Sequence, residues 1–99
     1  MRIIGIDPGY ERLGIAVVKT KDGSRDELLY STCLITSKTL HFQERLKLLA
    51  NGLEKALAEY QPDTLAIEEL FFSGNQKTAM KVSEIRGMIL YLGTRAGIN

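Results

Sequence analysis

The sequence is poor in the residues that staple, anchor or ligate. It has one cysteine, one histidine, two prolines and no tryptophan among 99 residues. A lone thiol, Cys33, excludes an intramolecular disulfide framework and leaves a zinc site short of sulfur ligands. On a predicted strand it reads as a buried small hydrophobe. His41 falls at a predicted helix start, where capping or solvent exposure fits it better than catalysis. No apolar run approaches the roughly 18 residues of a membrane span. The opening run is too short for a signal peptide and is interrupted by Asp7. These absences point to an intracellular, reducing setting and a cytoplasmic protein. An excess of either charge is missing too: 13 Lys+Arg stand against 12 Asp+Glu, a formal net charge of +1. Composition therefore announces no polyanion partner. Internal repeats, low-complexity tracts and linkers are also absent. What remains, 44% hydrophobic and 25% charged residues, is the make-up of one globular domain over residues 1–99.

Hydrophobic period divides the chain in two. Residues 2–7 form a short apolar run closed by Pro8-Gly9, the pattern of a strand buried on both faces. Residues 14–19 and 27–36 read as two further strands, with Asp22-Gly23 as the hairpin signal between them. Connections this short predict an antiparallel three-stranded meander. The period then lengthens. Phe42, Leu46, Leu49, Leu53, Leu57 and Tyr60 make one face of a helix over about 40–60, and Glu44, Lys47, Asn51 and Lys55 fall on other faces. Residues 64–68 return to a strand, which a long crossover makes parallel to an earlier one. A second helix spans about 75–95, opened by a capping-box pattern at Ser73-Gly-Asn-Gln76. Val82, Ile85, Ile89 and Leu92 form its stripe. Met80, Met88 and Tyr91 widen that stripe enough to predict burial on two sides or a subunit interface.

The order is thus βββαβα, an α/β pattern with a mixed sheet. A crossover helix ordinarily feeds another strand, so the pattern predicts a truncated chain that lacks a further strand past Asn99, with strand four left as a sheet edge. A complete small α+β domain is the alternative.

Two carboxylates stand where such sheets do chemistry. Asp7 ends strand one and Glu68 ends strand four, and sites gather outside the carboxyl ends of parallel strands. If the two strands are neighbours, their backbones lie about 4.8 Å apart and the carboxylates face one another. Exposed oxygens so placed suit a hard cation such as Mg²⁺ or Mn²⁺. Glu69 alternates to the opposite face. Two carboxylates are few for two ions held about 3.5–4 Å apart. The competing reading makes Asp7 a cap on the Pro8-Gly9 turn and Glu68 a surface residue.

Several segments taken in order carry a resemblance. Ile4-Gly-Ile-Asp7-Pro-Gly9, Gly14-Ile-Ala-Val-Val18, Arg45-Leu46, the stretch from Ala66-Ile-Glu68 through Phe71-Phe72, Asn75, Ala79 and Lys81, and Arg86-Gly87 resemble the RuvC family. These are bacterial Holliday junction resolvases with a ribonuclease-H-like fold. The resemblance covers the chain, and residues 66–87 are its most specific part. It implies a fifth strand and a C-terminal helix with two further acidic ligands. It matches Asp7 and Glu68 to catalytic, metal-binding positions, and Phe71 to an aromatic that contacts DNA near the junction centre. Asn75, Lys81 and Arg86 fall in the matched segment as DNA-facing or structural residues. Core packing is the alternative for Phe71 and Phe72, and a solvated face for Lys77 and Lys81. The resemblance further implies a homodimer on four-way junction DNA, Mg²⁺ as cofactor with Mn²⁺ as its substitute, and the branch-migration proteins RuvA and RuvB as partners. With two ligands absent, the 99-residue chain is expected to be nearly inactive alone.

Some positions depart from the family pattern. Leu13-Gly14 stands where Thr-Gly is usual, Ala16 replaces a frequent glycine, and Glu84 stands where Gln is common. Residues 10–17 look more like the YqgF nucleases, which share the fold and imply an RNA substrate. An Asp-x-Gly turn also occurs in actin-like ATPases and sugar kinases, and a non-catalytic DNA-binding module would keep the same fold.

Overall fold

The structure, a computed structural model, describes residues 1–23, 25–68 and 76–98. The order is β1 (Arg2–Asp7), β2 (Arg12–Lys19), β3 (Glu27–Ile35), α1 (Phe42–Tyr60), β4 (Thr64–Ile67) and α2 (Gln76–Arg95). The four strands make one mixed sheet in the order β3-β2-β1-β4. β1 and β2 pair antiparallel, β2 and β3 pair antiparallel, and β4 lies parallel to β1. Strand β2 begins two residues earlier than its apolar run, because Arg12 and Leu13 pair with Ile35 and Leu34. The hairpin turn takes Gly23 through φ 71°, the left-handed conformation that Asp-Gly foretells.

The helices cover one face of the sheet. Ile4 and Ile6 of β1 and Leu13, Ile15 and Val17 of β2 point into it, and Leu49, Leu53, Ile85 and Ile89 close over them. The alternating residues of β1, Ile3 and Gly5, are only half-buried. The expectation of burial on both faces is therefore corrected: among the described residues β1 is central, yet covered on one side. Cys33 is corrected as well. It lies on the uncovered face of β3 and is exposed, because period 2 puts it opposite Leu34.

Three devices place α1. Gly52 brings it close to β3, where an added Cβ would sit 2.5 Å from Leu34 Cδ1. Gln61 ends the helix in the left-handed region at φ 44°, its N–H donating to Leu57 O at 3.0 Å. Arg2 Nη1 donates to Tyr60 O at 2.7 Å, and the Asp63 carboxylate accepts from the Arg2 N–H at 2.8 Å. These bonds fix where β4 starts beside β1, and so which residues meet at its far end. Arg45 interrupts the apolar face of α1. It is only 6% exposed, and its Nε donates to Ser37 O at 2.8 Å.

Candidate active site

The parallel register sets Ile6 beside Ile67, so the next residue on each strand, Asp7 and Glu68, leaves the sheet on the same side. The Glu68 N–H donates to Ile6 O at 3.2 Å, which extends the ladder by one bond past β4. Both side chains are exposed. The Glu68 pKa is raised, first because protonated Glu68 donates a hydrogen bond to Asp7, then through the charge of Asp7, then through desolvation. The register that the sequence left conditional is thus present. Among the described residues no third acidic, histidine or cysteine side chain joins the pair.

The ground around the pair is kept small. Asp7 faces Gly14 across β1 and β2, and an added Cβ there would lie 3.3 Å from Asp7 Cβ. A side chain at position 14 would lean on the Asp7 carboxylate. With Gly5, Ala16, Ser31 and Ala66, Gly14 lines an open groove of about 530 Å³ on the uncovered sheet face, and Asp7 and Glu68 border it. Gly14 was noted in the sequence as a motif residue and not as the residue that makes room for Asp7. Its signal was a glycine inside a strand, a mark of close approach.

The raised pKa has a consequence for stability. Glu68 binds its proton more tightly in the folded chain than in the unfolded one. The pair therefore contributes stability that is complete below the ordinary value of 4.5 and is lost as pH rises through the folded value. At neutral pH two adjacent carboxylates repel. Glu68→Gln keeps the shape and removes one charge, so the metal-free variant is expected to melt slightly higher at pH 7 and to lose the acid-side dependence. Thermal melts from pH 4 to 8 in EDTA check this; a variant that melts below the parent at pH 7 contradicts it. Two adjacent exposed carboxylates are oxygen donors of the kind that suits a hard divalent cation.

The remaining candidates are dispersed. Phe71 and Asn75 lie outside the described residues, as do Phe72, Glu69 and the Ser73–Asn75 part of the capping box. Lys81 is exposed on α2, with its Nζ 5.1 Å from the centre of the Tyr10 ring. Arg86 is also exposed on α2. Five residues apart, the two stand about 140° around the helix and share no face. His41 is exposed at the N-cap of α1 and makes no side-chain capping bond, which leaves solvent exposure of the two readings offered.

With the geometry in place, comparison is informative. The family model described as crossover junction endodeoxyribonuclease RuvC matches residues 3–99. The crossover junction endodeoxyribonuclease RuvC of Ruminiclostridium cellulolyticum is 39% identical over 99 residues, covering 100% of this chain and 59% of that protein. The protein of the same name from Roseiflexus sp. is 45% identical over 97 residues, covering 98% of this chain and 57% of that one. Among solved structures, T. thermophilus RuvC in complex with a Holliday junction substrate superposes with a TM-score of 0.92 at 30% identity, over 99% of this chain and 62% of that chain. The chain thus spans somewhat more than half the length of the curated relatives it matches. The mixed sheet is the ribonuclease-H-like arrangement that the resemblance implies.

Proposed function

The chain belongs to the RuvC family of crossover junction endodeoxyribonucleases, and from that premise we propose that it forms the nuclease domain of a Holliday junction resolvase. Its reaction is hydrolysis of a phosphodiester in a four-way DNA junction during recombination and repair. One observation carries the reading: Asp7 and Glu68 stand at the carboxyl ends of two adjacent parallel strands, where a hydrogen bond to Asp7 and the charge of Asp7 raise the Glu68 pKa. That is the donor pair a phosphodiesterase needs. Mg²⁺, with Mn²⁺ as a substitute, would be held in part by Asp7 and Glu68, and supplies an activated water and charge neutralisation at the phosphate. Two further acidic residues, implied by the resemblance, complete the set. The protein's own task is placement. Gly14 leaves Asp7 unobstructed, and the β1–β4 ladder sets the two acidic residues side by side. Phe71, Asn75, Lys81 and Arg86 are the proposed DNA contacts. RuvA and RuvB are the proposed partners, and the cytoplasm the proposed setting. Among the described residues no helix is long and apolar enough to cross a membrane.

The junction reading is tested by fluorescence anisotropy with the 99-residue chain in EDTA. A four-way DNA junction is expected to bind at least about tenfold more tightly than linear duplex of the same sequences. Tighter binding of a structured RNA would move the assignment to the YqgF-like alternative.

A homodimer through α2 belongs to the same proposal. Gly87 sits mid-helix, and an added Cβ would meet nothing within 4 Å. Glycine there weakens the helix by roughly 0.5–1 kcal/mol relative to alanine, with no contact among the described residues to require it. Met80 and Tyr91, 64% and 63% exposed, flank Gly87 on the face turned away from the core. A second copy crossing close at Gly87 accounts for all three. Gly87→Ala is therefore expected to stabilise the dilute chain by about 0.5–1 kcal/mol and to weaken dimerisation about tenfold or more, since overpacking costs roughly 1–3 kcal/mol. Sedimentation equilibrium beside dilute thermal melts reads both. Dimerisation equal to that of the parent chain would show that α2 does not cross its partner there.

A further inference from the structure

The loop that follows Asp7 carries an aromatic ring with two cations on it. Tyr10 lies three residues past Asp7, between β1 and β2. Its backbone is fixed from the end of β3: Thr36 Oγ1 donates to Tyr10 O at 2.6 Å, and the Thr36 N–H donates to Glu11 O at 3.0 Å. The ring packs edge-on against Phe42, with centroids 6.1 Å apart. The Arg45 guanidinium carbon is 5.6 Å from the ring centre, and Lys81 Nζ is 5.1 Å from it. Tyr10 is thereby the point where the loop after Asp7, the first turn of α1 and the first half of α2 converge.

The two cations differ in what else they do. Arg45 is buried and spends its Nε on Ser37 O, so its place is structural. Lys81 is exposed, and among the described residues it enters no ion pair. A ring quadrupole orients an ammonium without cancelling its charge, whereas a carboxylate would cancel it. A lysine held this way keeps a full positive charge and loses part of the rotamer freedom that ordinarily opposes ordering it. It stands over the loop whose other end is a metal-binding candidate. Phosphate contacts of this kind set orientation and carry no sequence information.

We infer that Tyr10 is a positioning residue: its ring holds the un-neutralised Lys81 ammonium over the loop that follows Asp7, where it takes a backbone phosphate of the nucleic-acid strand presented to the Asp7–Glu68 pair. The inference rests on the nuclease reading above. Tyr10 touches no reacting atom and acts only through Lys81.

The test separates the two readings by using one measurement without nucleic acid and one with it, both on the full 99-residue chain. By NMR, the Lys81 side-chain methylene protons are expected upfield of their usual positions because of the Tyr10 ring current. That shift should vanish in Tyr10→Leu and persist in Tyr10→Phe. Unshifted protons in the parent chain overturn the positioning role whatever the DNA result. Binding of a four-way DNA junction is then measured against salt. Lys81→Met is expected to weaken binding and to lower the salt slope by about one, the signature of one lost phosphate contact. Tyr10→Leu should weaken binding about two- to fivefold, the range of an exposed cation–π contact. Tyr10→Phe should bind like the parent, and the double variant no more weakly than Lys81→Met alone. Additive losses in the double variant, or Tyr10→Phe binding as weakly as Tyr10→Leu, overturn the inference. A normal ring-current pattern in a chain that binds no junction removes the nuclease reading, and the phosphate role with it.

Discussion

Asp7→Asn is expected to abolish Mg²⁺-dependent nicking of a four-way junction while leaving junction binding intact or tighter. The asymmetry follows from where the carboxylate stands. Asp7 is exposed at the end of β1 and borders the groove on the uncovered face, so the fold depends only slightly on its charge, through its repulsion of Glu68. Its charge matters chiefly to what occupies the groove. A bound cation would lose one of its few hard ligands, and several kcal/mol of charge stabilisation at the phosphate would go with it. At about 1.4 kcal/mol per factor of ten, the loss is roughly a thousandfold or more. Binding responds in the opposite sense, because an asparagine no longer repels the DNA backbone. Nicking is scored with end-labelled junction in Mg²⁺ on a chimera that joins residues 1–99 to the C-terminal part of the Ruminiclostridium cellulolyticum relative. The 99-residue chain offers an independent readout. Mn²⁺ is expected to broaden the amide resonances of Ile6 and Gly14 in the parent and to leave them sharp in Asp7→Asn. Nicking by Asp7→Asn at the parent rate would sink the assignment of Asp7 as a metal-binding, catalytic residue.

How far this site is legible in sequence depends on how local its causes are. Most elements follow from local pattern: the β-branched run of residues 14–19, which β2 extends by two residues, then the three-four spacing from Phe42 to Tyr60, matched by α1. The parallel placement of β4 also follows, because a helix of 19 residues separates it from the meander. Adjacency of β4 to β1 does not follow from pattern alone. It depends on the Arg2, Tyr60 and Asp63 bonds, and these join residues about 60 positions apart. The Asp7–Glu68 pair was therefore conditional in the sequence and became definite only with the register. Burial misled at two places for one reason. An apolar run such as Arg2–Asp7 reads the same whether one or both sheet faces are covered, so Ile3, Gly5 and Cys33 were read as more enclosed than they are. Tyr10 gave no usable signal. Its neighbours Arg45 and Lys81 come from two different helices, and only the packing of α2 on α1 brings both to one ring.

That packing supplies the second large effect. Ile85→Ala is expected to destabilise the chain by about 2–5 kcal/mol, the range for emptying a fully buried aliphatic site. Ile85 is wholly buried, in a cluster with Leu49, Leu53 and Ile89. Helix α2 is held by this seam, which joins it to α1 and to the strand residues beneath. The sheet, by contrast, keeps its ladders and the α1 clamp at Arg2. The loss should therefore fall unevenly. At about 4–8 °C per kcal/mol for a domain of this size, the melting temperature is expected to drop by roughly 10 °C or more. Hydrogen exchange should quicken first in α2, while β1 and β2 stay protected. Junction binding is expected to weaken at temperatures where the sheet is still folded, because Lys81 and Arg86 ride on α2 and Lys81 leaves the Tyr10 ring when the helix undocks. The Asp7–Glu68 pair, held by the β1–β4 register, should keep its Mn²⁺ response under the same conditions. A variant that loses metal response and helix protection together would mean that the site and α2 form one cooperative unit, and that the carboxylate pair depends on the helix seam as well as on the strands that carry it.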